Sequence, residues 1–447
     1  MKGFKAYDIR GVYNKDFDRV NAYKIGFYLP QLLKTDKVLV GRDARISSPE
    51  IHNYLMKGII DAGADAYDAG LATTPMIYFG TAHANFDASV MITASHNPAK
   101  YNGMKISRTN ALPVGYDSGL SELEQLVKEK VHITRERGSI KNIDLKTPYL
   151  EFLKSYVPDW DGLNMVIDCS NGMAGLFARD IFGDQPHYIY EEIDGAFPNH
   201  EPNPLIQENV ADLKKEVKAK NADAGVIFDG DGDRVMFVDE KGEFISPDLL
   251  IALLGHYFLE EKGQKGPVLQ DIRTSQAVKN YIEKLGGEMH MWRVGRAYAA
   301  LKLREIDGVF GGELAGHYYF RDFFYSDSGM LAAILIMRIL KQKKAEGYTF
   351  SQLIDKIKAF ENSGEINFKI EQKKEAMDEV KDFFVNQSEP SAFYDFDGYR
   401  VEYPDWWFNI RPSNTEPYLR LLLEANSKEL LEEKTQKIKE LLKPYEK

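Results

Sequence analysis

"AGVIFDGDGDRVMFV", residues 224–238, joins a buried strand, an acidic turn and the start of a second strand. Ala224 to Phe228 is apolar without alternation, the mark of a strand covered on both faces, as in parallel α/β sheets. Asp229, Asp231 and Asp233 then follow at alternate positions, separated by Gly230 and Gly232. At the carboxyl end of a parallel strand, where open α/β sheets bind ligands, such acids repel one another unless a cation sits between them. A calcium EF-hand is the competing pattern, with Glu240 at its twelfth position. Its sixth would be Arg234 instead of glycine, and strands flank the loop instead of helices. All-oxygen ligation favours a hard divalent ion, Mg²⁺, and three carboxylates leave positions that a phosphate oxygen would fill. Arg234 suits either a phosphate or charge compensation of the acids.

The same rhythm of short apolar runs and longer helical patterns extends to both sides, as expected of α/β units with parallel sheets. In a first unit (1–148), Lys37 to Val40, Ala64 to Ala69 and Ala88 to Thr93 read as strands, with helices over Pro49 to Ala62, Pro75 to His83 and Ser121 to Val131. A second unit (149–247) has strands at Leu163 to Asp168, His187 to Glu192 and Ala224 to Phe228, and a hairpin turn at Lys241-Gly242. A third (248–361) begins with a helix over Asp248 to Glu261, has strands at Pro267 to Ile272 and Glu288 to Val294, and ends on an apolar helix, Met330 to Leu340. The remainder (362–447) reads as a smaller α+β unit closed by a charged helix over Lys428 to Leu442, with a hinge expected at the polar link 359–364.

Bulk properties narrow the function. The 447 residues carry a formal net charge of -11, which argues against nucleic acid or an anionic membrane as the main partner. Cys169 is the only cysteine, so no intrachain disulfide forms, and Met1 to Lys5 leads into mixed polar sequence with no apolar signal core. The expected location is the cytoplasm.

Three further loops carry chemistry. In "MITASHNPAKYNGMKI", residues 91–106, a buried strand runs into Ser95-His96-Asn97-Pro98 with Lys105 close behind. Ser95 lacks the G-x-S-x-G elbow of an acyl-transfer nucleophile, whereas a phosphoserine there would supply the oxygen that the three aspartates leave open. Gly311-Gly312-Glu313-Leu314-Ala315-Gly316-His317 sets one Glu and one His among glycines at a strand end, without dinucleotide-fingerprint spacing. Asn409 to Arg420 brackets a run of hydroxyl and amide donors between Arg411 and Arg420, the chemistry of a phosphate cradle.

With Ala6-Tyr7-Asp8-Ile9-Arg10-Gly11 and Gly41-Arg42-Asp43-Ala44-Arg45, these segments resemble the α-D-phosphohexomutase superfamily, closest to phosphomannomutase/phosphoglucomutase, over the whole chain and in the family's order. The resemblance implies three topologically similar α/β domains with mixed sheets and a C-terminal α+β domain, TATA-box-binding-protein-like, around a central cleft. By position Ser95 matches the phosphorylated serine and, with Asp229, Asp231 and Asp233, the Mg²⁺ ligands. Lys105, Arg10, His96 and Arg234 match catalytic groups. Tyr7, Glu313, His317 and Arg296 match sugar-binding positions, and Arg411, Ser413, Asn414, Thr415 and Arg420 the distal phosphate loop.

The implied activity interconverts hexose 1- and 6-phosphates through a phosphoserine and a hexose 1,6-bisphosphate, which serves as intermediate and activator. Mannose phosphates are the favoured substrates and glucose phosphates the second, with a monomer or homodimer as the working form. The family's usual Ser and His are Ala315 and Arg296 here. A phosphoglucosamine mutase is the alternative within the class. A non-catalytic sugar-phosphate binder and a metal-dependent phosphatase are the alternatives outside it.

Overall fold

The structure, a computed structural model, describes residues 2–413 and 418–446. One core recurs three times. In the first unit the strands Asp65–Leu71, Lys37–Arg42 and Ala88–Ile92 lie side by side and parallel, and Tyr101–Arg108 joins antiparallel to the last of them. The second unit repeats this order with His187–Ile189, Met165–Asp168, Ala224–Phe228 and antiparallel Val235–Asp239. The third does so with Glu288–Trp292, Pro267–Asp271, Phe310–Gly312 and antiparallel Tyr318–Phe320. The mixed α/β sheets expected from the apolar runs are therefore present, and the strands feeding the Ser95 and Asp229 loops are buried at every residue.

The fourth unit is an antiparallel sheet backed by the helices Lys373–Val385 and Lys428–Leu442. Its core, with Phe384, Phe408, Leu423 and Ile438, is its own. In contrast, one buried cluster runs from Met76 and Tyr149 through Phe228 to Leu331 and Ile334, fusing parts of the first three units.

Several expected elements shift. The helix expected over 121–131 spans only Leu120–Leu126; beyond it Lys128 N and Glu129 N bond back to the Gln125 and Leu126 carbonyls in tighter turns, and the Lys24 ammonium takes the carbonyls of Val127 and Glu129. The helix expected from Asp248 divides into Leu249–Gly255 and a π-helical stretch, His256–Glu261, while the apolar helix lengthens to Gly329–Ala345. Within the 359–364 link, Glu361–Asn362 is already a short strand of the fourth sheet.

Buried polar groups dock the fourth unit on the third. The Arg400 guanidinium lies 3.6 Å over the Trp407 ring and donates to the carbonyls of Ile272 and Thr274, both at 2.7 Å. Beside it the Glu424 carboxylate accepts from Trp407 Nε1 at 2.8 Å and Ser275 Oγ at 2.9 Å. Burial, aided by the charge of Asp248, pushes the Glu424 carboxyl up to about 7 from an ordinary 4.5. An acid raised on folding contributes stability that is complete below its unfolded pKa and declines as pH rises through the folded value. Thermal stability should therefore fall between pH 4.5 and 7, and Glu424→Gln should flatten that slope in calorimetric scans; an unchanged slope would locate the titration elsewhere.

Close backbone approach sets the first unit's edge. Gly103 pairs with Arg10 across the antiparallel strands, and a Cβ there would meet the Ile9 carbonyl at 2.0 Å. Gly103→Ala should push away the strand that carries Arg10, at a cost of about 1–3 kcal/mol, visible as a lower melting temperature together with a lower turnover rate.

Candidate active site

Ser95 follows the Ala88–Ile92 strand in a left-handed conformation, φ 50°, which a non-glycine residue adopts only when its surroundings hold it there. The Thr93 hydroxyl accepts from Ser95 N at 2.9 Å. From below, the fully buried Arg45 donates to the carbonyls of Ser95 and Asn97, both at 2.7 Å, and of Pro98 at 2.8 Å, while Asp43 takes its Nε at 3.1 Å. So braced, Ser95 Oγ donates to Asp229 Oδ2 at 2.7 Å and lies 3.2 Å from His96 Nδ1.

The three aspartates converge as the spacing predicts. All are fully buried, and one ligand oxygen from each lies within 4.8 Å of the others. The turn must be glycine at 230, where a Cβ would stand 2.6 Å from the Ser95 carbonyl. Lys105, opposite Met91 in the strand register, reaches Asp231 Oδ2 at 2.7 Å and Asp233 Oδ2 at 2.5 Å. Thr74 Oγ1 donates to Asp231 Oδ2 at 2.5 Å. Asp231 Oδ1 and Asp233 Oδ1 are buried without a hydrogen-bond partner among the described residues. Buried, unsatisfied carboxylate oxygens are costly, and a hard cation is the ligand that would satisfy both, so the donor set fits a divalent metal.

Electrostatics follow from the crowding. Burial, then the charges of Asp233 and Asp231, push the Asp229 carboxyl well up. Burial also acts to raise Asp233, but Lys105 and His317 outweigh it and hold the carboxyl below its usual range. Burial, reinforced by Arg234, Arg10 and Lys105, keeps His96 neutral, well below the ordinary imidazole range.

A second chain of contacts links the metal-type loop to the third unit. Arg234 Nε donates to His317 Nε2 at 2.9 Å, so the imidazole proton belongs on Nδ1, which faces Asp327 Oδ2 at 2.6 Å. Asp327 Oδ1 accepts from Arg296 Nε at 2.9 Å, and the Arg296 guanidinium lies 3.6 Å over the Tyr78 ring. Around Val294-Gly295 the remaining groups gather. Tyr7 OH donates to the Val294 carbonyl at 3.3 Å, and Glu313 Oε1 accepts from Gly295 N at 2.6 Å. Asp397 Oδ2 accepts from Val294 N at 2.8 Å, while its other oxygen holds Arg411 Nε at 3.1 Å.

Ser95, His96, Lys105, the three aspartates, Arg234, His317 and Arg296 thus form one connected cluster. Arg10 joins it through Asn97 Oδ1 at 2.9 Å and is clamped by Asp8 at 2.5 Å. Arg411 and Arg420 face each other in the strand register on either side of the last loop, and Ser413 N donates to the Tyr418 carbonyl at 2.8 Å. Asn414 and Thr415 lie outside the described residues. Thr74, Asp327 and Asp397 escape sequence reading because each stands singly, at a helix start, in a short strand and in a bend, with no motif around it. Arg45 stands in a quoted motif, but nothing in its spacing reveals what it holds.

Three copies of one α/β core followed by an antiparallel unit, with a serine hydroxyl against a buried acidic triplet, define a phosphohexomutase, an intramolecular phosphotransferase of the isomerase class. Models of phosphoglucomutase/phosphomannomutase alpha/beta/alpha domains I, II and III match residues 1–132, 147–242 and 246–360, and that of the C-terminal domain matches 365–441. A phosphomannomutase of Escherichia coli is 37% identical, covering 98% of this chain and 99% of its own length. A protein of Xanthomonas campestris described as "phosphohexose mutases" is 38% identical, with 99% of both chains covered. The crystal structure of a phosphoglucomutase/phosphomannomutase family protein from Burkholderia thailandensis superposes with a TM-score of 0.88 at 30% identity, over 99% of this chain and 97% of that one. The chain belongs to the phosphoglucomutase/phosphomannomutase family. Among the described residues no helix is long and apolar enough to cross a membrane.

Removing the hydroxyl that supports Asp231 tests the metal fit without touching a ligand. Thr74→Val should weaken Mg²⁺ binding to the full chain about 10-fold or more, read by calorimetric titration of metal alone; an unchanged affinity would exclude the Asp231 carboxylate from the site.

Proposed function

We propose that the chain interconverts mannose 1-phosphate and mannose 6-phosphate, with the corresponding glucose phosphates as second substrates, through a phosphorylated Ser95. The observation that carries this reading is Ser95 Oγ, 2.7 Å from Asp229 in a triplet whose other two aspartates each keep one unsatisfied buried oxygen. Asp229, Asp231, Asp233 and the Ser95 oxygen or its phosphate would hold Mg²⁺, which when bound would offset charge on the phosphoryl oxygens.

In the first transfer the bond from phosphorus to Ser95 Oγ breaks as one forms to the free sugar hydroxyl, whose proton passes to a base. His96, kept uncharged by burial and its cationic neighbours, is the neutral base nearest Ser95. In the return transfer the bond from phosphorus to the sugar oxygen at the other end of the hexose 1,6-bisphosphate breaks as one forms to Ser95 Oγ; the serine proton leaves towards Asp229 Oδ2 or His96 Nδ1, and the sugar oxygen takes up the proton that the base received in the first transfer. Lys105, Arg10 and Arg234 stabilise the charge on the moving group, the main source of catalysis in phosphoryl transfer. Glu313, His317 and Tyr7 orient the sugar, with Arg296 supporting through Asp327. Arg411, Ser413, Asn414, Thr415 and Arg420 hold the phosphate that is not reacting. Arg411 Nη2, buried and without a hydrogen-bond partner among the described residues, supports an anion there. The four units, proposed at 1–148, 149–247, 248–361 and 362–447, each supply one of these loops. The single buried cysteine suits a reducing cytoplasm.

Intact-mass analysis with peptide mapping should find phosphate on Ser95 that exchanges with sugar phosphate. Ser95→Ala should lower mutase activity about 10³-fold or more, and full retained activity would refute the shuttle. Arg411→Ala should likewise cripple a mutase while sparing a simple phosphatase. Parallel assays with mannose, glucose and glucosamine 1-phosphates set the sugar preference.

A further inference from the structure

The two arginines that bracket the last loop are held by carboxylates of different freedom. Asp397, with its side chain 8% exposed, binds Arg411 Nε and is pinned through its other oxygen by the Val294 amide. Glu365, 25% exposed, binds Arg420 Nη1 through Oε1 at 2.9 Å. Its other oxygen lies 3.6 Å from Arg273 Nη1, too long for a hydrogen bond but within an ion pair. Glu365 thus sits between two guanidinium groups, one on the fourth unit and one on the third, just after Gly364, whose φ of 65° turns the chain into the Ile366–Phe368 strand.

Arg273 is not idle. It forms a forked pair with Asp271, at 3.1 and 2.8 Å, and Asp271 Oδ2 also accepts from Leu314 N at 2.8 Å, beside Glu313. A negative charge released from Arg420 therefore has a cation waiting for it, at the base of the loop assigned to the sugar.

We propose that Glu365 is a built-in competitor of the substrate phosphate at Arg420: the phosphate displaces the carboxylate, which moves to Arg273. The proposal rests on the assignment of Arg420 to the phosphate loop. Two properties follow from it. The displaced acid is never left without a counter-charge, so the exchange costs little, whereas burying an unpaired carboxylate would cost a great deal. In addition, the grip on the distal phosphate is weakened by design. A bisphosphate that must present each end in turn to Ser95 requires a holding site that releases it, and a carboxylate ready to return to Arg420 provides the release.

The test uses full-length chain with Ser95→Ala, which prevents turnover, and mannose 6-phosphate as the titrant in calorimetry. Added Glu365→Gln, which keeps shape and hydrogen bonding but removes the competing charge, should tighten binding about three- to fivefold. Added Arg420→Ala should weaken it about 10-fold or more, with thermal melts confirming that both variants fold. In the chain with Ser95 intact, Glu365→Gln should lower KM and lower kcat together, as slower release requires. If Glu365→Gln binds no tighter, or binds more weakly, while Arg420→Ala weakens binding, Glu365 merely supports Arg420 and the competition is refuted. If Arg420→Ala leaves binding unchanged, the phosphate-loop assignment of Arg420 falls and the competition with it, while the Ser95 shuttle stands or falls on its own assay.

Discussion

Buried negative charge that must be balanced is the constraint on which the rest of this molecule depends. Asp229, Asp231 and Asp233 lie fully out of solvent within a few ångströms of one another. Buried charges so close together are tolerated only when cations compensate them. The answer is distributed over the chain. Lys105 arrives on the strand after the serine loop, Arg234 follows the triplet directly, and the unsatisfied oxygens are left for a metal. Lys105, Thr74 and Ser95 of the first unit all reach the aspartates of the second. The large shared core across these units is the apolar counterpart of the same dependence.

The site repeats one geometric solution. The serine loop, the acidic loop and the Glu313 loop each connect the third parallel strand of a unit to its antiparallel neighbour. Beside each of them, the turn that follows the central strand is braced by an aspartate. Asp43, Asp168 and Asp271 all accept the backbone amide two residues on, at 3.0, 2.7 and 2.7 Å, and their other oxygens engage Arg45, His200 and Arg273. A strained serine, a convergent acid triplet and the Glu313 loop thus stand beside three copies of a single braced turn.

Much of this was legible before any coordinates. Unbroken apolar runs such as Ala224 to Phe228 announce buried parallel strands, and glycines beside alternating aspartates announce convergence. The incomplete ligand set pointed to Ser95 by chemistry, although no rule of spacing links residues 134 positions apart. What stayed hidden has a common physical character. Thr74, Asp327 and Asp397 act on other side chains instead of on a ligand, and a single threonine or aspartate in a turn looks the same whether it caps a helix or orients a histidine. Arg296 shows the converse. Read by position as a sugar contact, it also places its Nε on Asp327 and its flat face over Tyr78 of the first unit's helix, neither of which its spacing reveals. The helix ending at Leu126 stops short of its local pattern in the same way: the Val127 and Glu129 carbonyls just beyond it are held by Lys24, from a distance in sequence that local pattern does not span.

The repeated turn also has a meaning for how such a molecule changes over time. Each loop is fastened at its base to its own central strand, so its tip can be lengthened, shortened or recoloured without renegotiating the sheet beneath it. The tips are not free of one another, however: two backbones touch at Gly230 and Ser95, and Val235 N donates to the Gly316 carbonyl at 3.2 Å beside the Arg234–His317 pair. A change at the acidic tip therefore has to be matched on both sides, and the serine and Glu313 loops are coupled through it.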